Sequence, residues 1–122
     1  MRVLVIDDDE IFSRLLVELL EDVGIEASCS IDGLAAHEMM EHDPFDLCII
    51  DQRMPFILGT ELAEAIQQMH PHIKIILASA FADQVLKEYA RRKGIFLLSK
   101  PFTRSQLLEA VHLVAHDALG KN

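Results

Sequence analysis

Five short apolar runs alternate with five segments of helical periodicity along this chain, and no other feature limits its fold as tightly. Val3 to Ile6 is apolar throughout, as a strand covered on both faces would be. Ile11, Phe12, Leu15, Leu16, Leu19, Leu20 and Val23 then recur at helical spacing, and Gly24 supplies the stop. Ile25 to Cys29 reads as a weaker second strand. Asp32-Gly33 opens a helix carrying Leu34, Ala35, Met39 and Met40 on one side, and Asp43-Pro44 ends it. Asp46 to Ile50 is the third strand, and a loop, Gln52 to Leu58, leads from it to the next helix. That helix, Thr60 to Met69, turns Leu62, Ala65, Ile66 and Met69 inward. Ile73 to Ala78 is the fourth strand. A helix follows from Asp83 to about Lys93, closed by Gly94, and Ile95 to Leu98 is the fifth strand. Thr103 and Gln106 form a capping box for a last helix with Leu107, Leu108, Val111, Val114 and Ala115 inside.

Only a crossover helix can return the chain for parallel pairing, so buried strands alternating with helices imply a parallel sheet. Right-handed crossovers then give one doubly wound α/β domain with helices on both faces. A flavodoxin-like strand order 2-1-3-4-5 fits five strands and puts its site beyond their carboxyl ends. The length suits a single core. A formal net charge of −9 disfavours nucleic-acid binding by this domain, which needs clustered positive charge. No window approaches the roughly 18 apolar residues of a membrane span, and no signal peptide opens the chain. Cys29 and Cys48 lack metal-ligand spacing and read as core thiols in a reducing compartment. The expected location is cytoplasmic.

The polar residues that follow each strand carry the chemistry. Asp7, Asp8, Asp9 and Glu10 follow the first, and Asp51, Gln52 and Arg53 follow the third. Ser79 ends the fourth, and Ser99, Lys100 and Pro101 end the fifth. A parallel sheet brings all of these to one edge. Clustered carboxylates repel one another and call for a cation, for which a hard ion such as Mg²⁺ is suited. A lysine and a hydroxyl beside them would stabilise a transferring phosphoryl group, and a carboxylate can itself be the nucleophile.

At these residues the chain resembles the receiver domain of two-component response regulators. The resemblance rests on Asp7-Asp8, the segment DQRMPFILG with Asp51, Met54, Pro55 and Gly59, then Ser79-Ala80 and Lys100-Pro101-Phe102. It spans essentially the whole chain and implies a receiver domain over residues 1–118, with 119–122 as a tail or the start of a linker. It implies that Asp51 accepts a phosphoryl group from a histidine kinase or phosphotransfer protein. Mg²⁺ would be held by Asp8, Asp51 and the backbone carbonyl of Arg53, with Asp7 acting through a metal-bound water. Lys100 and Ser79 would contact the phosphoryl oxygens, and the Lys100-Pro101 bond would be cis. The output would be a conformational shift of the fourth helix, fifth strand and fifth helix, a surface that could also form a homodimer. Such a domain catalyses only its own phosphorylation and dephosphorylation.

Two departures stand out. Leu97 occupies a place where receivers often carry an aromatic residue, and Phe96 falls on the opposite strand face. Arg53 and Phe81 stand where this family tunes phosphoryl lifetime, and together they could screen the phosphate from water. Two other readings compete: a phosphorylation-independent interaction module, and an aspartyl-phosphate phosphatase using Asp7 and Asp9. His112 and His116, four residues apart, read as surface histidines, and His70-Pro71-His72 as a loop.

Overall fold

The computed structural model describes residues 1–120, with side chains described to residue 116. Ten elements alternate: β1 (Arg2–Ile6), α1 (Glu10–Glu21), β2 (Glu26–Ser30), α2 (Gly33–His42), β3 (Leu47–Asp51), α3 (Gly59–Met69), β4 (Lys74–Ser79), α4 (Gln84–Lys93), β5 (Phe96–Ser99) and α5 (Arg104–Gly120). The five strands form one sheet in the order β2-β1-β3-β4-β5, every pair parallel. This is the doubly wound flavodoxin-like arrangement expected from the alternation.

Side-chain alternation along the strands divides the core into two layers. Leu4, Ile6, Cys48, Ile50, Ile75 and Leu77 face Ala36 and Met40 of α2, Leu62, Ala63 and Ile66 of α3, and Ala90 of α4. Val3, Val5, Leu47, Ile49 and Ile76 face Leu16 and Leu20 of α1 with Leu107, Ala110 and Val111 of α5. The edge strand β2 is only part-buried, which explains its weaker apolar run. Cys29 on β2 is half-buried and Cys48 on β3 fully buried, both free thiols packed in opposite layers. Burial pushes the Cys48 thiol up to about 12.

Aspartates start three of the helices. The side chains of Asp9, Asp32 and Asp83 accept the amides of Phe12, Ala35 and Leu86 at 3.0, 2.7 and 2.9 Å. The capping box at α5 forms in both directions: Gln106 accepts the Thr103 amide at 2.8 Å and Thr103 accepts that of Gln106 at 3.1 Å. Gly94 ends α4 in the left-handed region at φ 69°, and Gly24 turns the chain after α1 at φ 83°.

Several inward assignments need correction. Ile11, Leu15 and Val23 are exposed, because α1 rests on the sheet along a narrower stripe centred on Ser13, Leu16 and Leu20. In α2 the buried residues are Ala36 and Met40, and Leu34 lies on the opposite flank, exposed. In α3 it is Ala63 and not Ala65 that is buried, Ala65 being exposed, and Met69, the last residue of the helix beyond the core contact made by Ile66, is exposed too. Toward the C-terminus, α5 runs to Gly120, into the segment expected as a tail, and residues 121–122 lie outside the described residues.

Candidate functional site

Strand register alone brings the singled-out residues together. Asp51 closes β3 opposite Ala78 of β4, and Ser79 pairs with Ser99 across β4 and β5. Immediately past the strand ends, main-chain bonds fix the loops: Asp7 donates to the Ser30 carbonyl at 3.1 Å, Gln52 to Ala78 at 2.9 Å and Lys100 to Ser79 at 2.8 Å. The Lys100-Pro101 bond is cis. The carboxyl edge of the sheet is therefore one continuous platform.

Asp7, Asp8 and Asp51 converge there, each with a carboxylate oxygen within 4.8 Å of the others. Asp7 is 3% exposed, Asp51 half-buried and Asp8 open to solvent. Lys100 reaches across, donating from Nζ to Asp51 Oδ1 at 2.9 Å and lying 3.5 Å from Asp7 Oδ2. Its ammonium also sits 4.8 Å from the centre of the Phe12 ring, which holds it from the α1 side.

Charges in this pocket act on one another. Burial raises the Asp7 carboxyl above the ordinary aspartate range, and the charges of Asp51 and Asp8 add to the rise. The Asp9 amide, which donates to Asp7 Oδ1 at 2.9 Å, and Lys100 oppose it without cancelling it. Burial alone would lower the Lys100 ammonium, but its bond to Asp51 and the charges of Asp51 and Asp7 outweigh that and raise it. A buried carboxyl strained by like charge, beside an exposed one, is a donor set suited to a hard divalent cation.

Ser79 is buried at the rim, its Oγ accepting the Phe81 amide at 3.1 Å. Phe81 stands exposed beyond it with the Arg53 guanidinium 5.5 Å from the ring centre. Arg53 pairs in an isolated antiparallel bridge with Leu58, so residues between them fold back as a tight loop whose tip, Phe56, has φ 71°. Asp9 does not join the cluster: its carboxylate is spent capping α1. That removes half of the acid pair a phosphatase reading requires.

One residue escaped sequence reasoning. Ser13, fully buried, donates from Oγ toward the carbonyls of Asp7 and Asp9 at 3.2 and 2.9 Å, fixing the turn that aims the acids. A polar residue three and seven places before Leu16 and Leu20, on the inner stripe of α1, was the available signal. Gly59 was singled out by the resemblance, but the reason for it was not: a Cβ there would fall 2.5 Å from the Asp51 carbonyl oxygen and 2.8 Å from Gln52 Cα. The start of α3 is pressed against the backbone of Asp51, and only glycine permits it. Leu97 packs in the layer covered by α2, α3 and α4, as do Leu86 and Tyr89, whereas Phe96 packs in the layer of α1 and α5.

A parallel five-stranded switch-point sheet, with acids, a hydroxyl and a lysine at its carboxyl edge, defines a class of signalling domain. Residues 3–112 match the model of the response regulator receiver domain. The chain is 32% identical over 111 residues to the response regulator receiver protein CpdR of Brucella abortus, covering 90% of this chain and 92% of that one. It is 28% identical to the chemotaxis protein CheY of Pseudomonas aeruginosa, over 93% and 95% of the two chains. Other relatives are longer, and the chain spans only 25% of the response regulator protein PilR of Pseudomonas aeruginosa. Among solved structures, a receiver domain protein from Methanospirillum hungatei superposes with a TM-score of 0.90 at 24% identity, covering 99% of this chain and 98% of that one. The response regulator TrrA of Thermotoga maritima, solved in complex with Mg²⁺-BeF, gives 0.81 at 30% identity, over 93% and 97%. The chain belongs to the receiver-domain family of two-component response regulators.

Proposed function

We propose that Asp51 is the phospho-acceptor of this domain, taking its phosphoryl group from the phosphohistidine of a histidine kinase or phosphotransfer protein. The observation that carries the reading is the Lys100–Asp51 bond at 2.9 Å inside the three-acid cluster. Lys100 occupies Asp51 Oδ1, and Oδ2 has no hydrogen-bond donor among the described residues. An Asp51 oxygen attacks phosphorus, the phosphorus–nitrogen bond breaks, and the imidazole leaves with its electron pair. Lys100 and the Ser79 hydroxyl would hold the phosphoryl oxygens afterwards. Asp8, Asp51, the Arg53 carbonyl and, through water, Asp7 would hold Mg²⁺, which when bound supplies positive charge against the building negative charge.

The consequence is a shift of population between two conformations of the α4–β5–α5 surface, read by an output domain or partner and able to support homodimer contacts. Leu97 carries neither ring nor hydroxyl, so the shift passes through repacking of Leu97 within the layer under α2, α3 and α4. Arg53 over Phe81 screens the aspartyl phosphate from water, and Phe81→Ala is expected to hydrolyse faster after normal phosphorylation. A lifetime unchanged in both Phe81→Ala and Arg53→Asn contradicts that role.

Amide NMR with Mg²⁺ and beryllofluoride, a phosphoryl mimic, tests the switch. Saturable changes at Asp51, Ser79 and Lys100 that spread into α4 and β5 are expected. Changes confined to the acid cluster would leave a metal-binding domain without a switch.

A further inference from the structure

The opposite end of the molecule holds a second convergence of ligating groups. α2 runs from the carboxyl edge of the sheet back toward its amino edge, with His37 at its middle and Glu41 one turn further on. His70 caps the C-terminus of the neighbouring α3. One ligand atom from each of His37, Glu41 and His70 lies within 4.8 Å of the other two. His37 Nε2 and Glu41 Oε1 are already 3.5 Å apart, and the rings of His37 and His70 are 6.4 Å apart between centres.

An i, i+4 histidine–glutamate pair alone would be an ordinary surface contact. His70 makes the difference. Its Nε2 is buried and has no hydrogen-bond partner in the protein, the one such side-chain atom among the described residues. Its backbone is pinned from both sides, with the His70 amide donating to Ile66 at 2.7 Å and its carbonyl accepting from Ile73 at 3.0 Å. Leaving a buried nitrogen without a partner carries a desolvation penalty that a bound cation would remove.

We propose that His37, Glu41 and His70 form a site for a late first-row divalent ion, Zn²⁺ foremost, with water as the fourth ligand. Two imidazoles and a carboxylate suit Zn²⁺ rather than Mg²⁺, so the chain would carry two cation sites of different chemistry at opposite edges of the sheet. With zinc–ligand distances of about 2.0–2.2 Å, tetrahedral ligand atoms sit about 3.5 Å apart. The His37–Glu41 pair meets that spacing as it stands, and a side-chain torsion of His70 closes the rest. The ion would clamp the end of α2 to the end of α3. Each residue looks unremarkable in sequence, because the set forms only when two helices pack side by side.

The probe is Co²⁺ as a spectroscopic stand-in, followed by Zn²⁺ competition, on the full chain. Asp51→Asn and His112→Asn run as controls for the acid cluster and for the His112–His116 pair. The expected result is one equivalent of Co²⁺ with the intense visible bands of tetrahedral coordination, displaced by Zn²⁺ and retained in both controls. His70→Gln and His37→Gln should weaken binding by more than the roughly 10–100-fold that outer-shell partners are worth. Zn²⁺ should also raise the thermal midpoint of the wild type but not of these variants, whose metal-free circular dichroism reports that they fold. Weak octahedral-type bands without the intense ones, no stoichiometric binding, or unchanged affinity in folded His70→Gln would overturn the proposal. Loss of binding in Asp51→Asn or His112→Asn would do the same.

Discussion

Asp7 shows how a single residue can be set against the stability of its own fold. Its carboxyl is raised by burial and by the neighbouring acids, so the folded chain holds this proton more tightly than the unfolded chain does. The penalty is absent below the unfolded value of about 3.9, and it grows as pH rises through the raised folded value. Asp7→Asn keeps an oxygen for the Asp9 amide and removes the charge. Without divalent ions it is expected to be more stable than wild type at neutral pH, with the difference vanishing on acidification. Urea titrations at several pH values check this, and a variant equally or less stable at neutral pH would contradict it. Gly59 is constrained by space instead. Gly59→Ala drives a methyl into the Asp51 carbonyl and Gln52 Cα, main-chain atoms that cannot yield without moving the site. A loss of about 1–3 kcal/mol is expected in chemical denaturation, together with slower phosphoryl uptake. Wild-type stability in this variant would mean the approach is looser than it looks.

At the scale of elements, α4 is the least anchored helix on its face, with Ala90 its one fully buried residue. Tyr89 ties it to α3, its hydroxyl shared between the Thr60 carbonyl and Glu64 Oε2, each at 3.3 Å. Lys93 adds an ion pair to Glu64 at 3.0 Å and Gln67 donates to the Lys93 carbonyl at 2.8 Å. Tyr89→Phe keeps the ring and loses the hydroxyl, so a cost of about 0.5–1.5 kcal/mol is expected. Hydrogen exchange should quicken in α4 and not in α1 or α5, and uniform exchange across the three would contradict the tie. The same scale shows what sequence could tell. Every strand and helix was legible, because continuous apolar runs and 3.6-residue stripes are direct images of two-sided and one-sided burial. The flanks of the helices were not. Ile11, Leu15 and Leu34 carry the apolar signal without the burial, since a stripe wider than the contact leaves its margins in water.

For the molecule as a whole, the parallel sheet turns distant residues into neighbours. Asp7, Asp51, Ser79 and Lys100 could be paired from sequence because strand order and the rule of carboxyl ends place them together. The close approach at Gly59 and the His37–Glu41–His70 set could not, since helix-to-loop and helix-to-helix approach depend on packing that no local pattern encodes. Ser13 was readable in principle, as a polar break in an apolar stripe. The central claim is covalent phosphorylation of Asp51, and intact-mass spectrometry tests it most directly. The chain is incubated with acetyl phosphate, with and without Mg²⁺, beside Asp51→Asn. The account predicts a Mg²⁺-dependent gain of one phosphoryl mass in the wild type and none in the variant. An equal gain in folded Asp51→Asn would place the acceptor elsewhere, and no gain in the wild type would leave a phosphate-independent binding module.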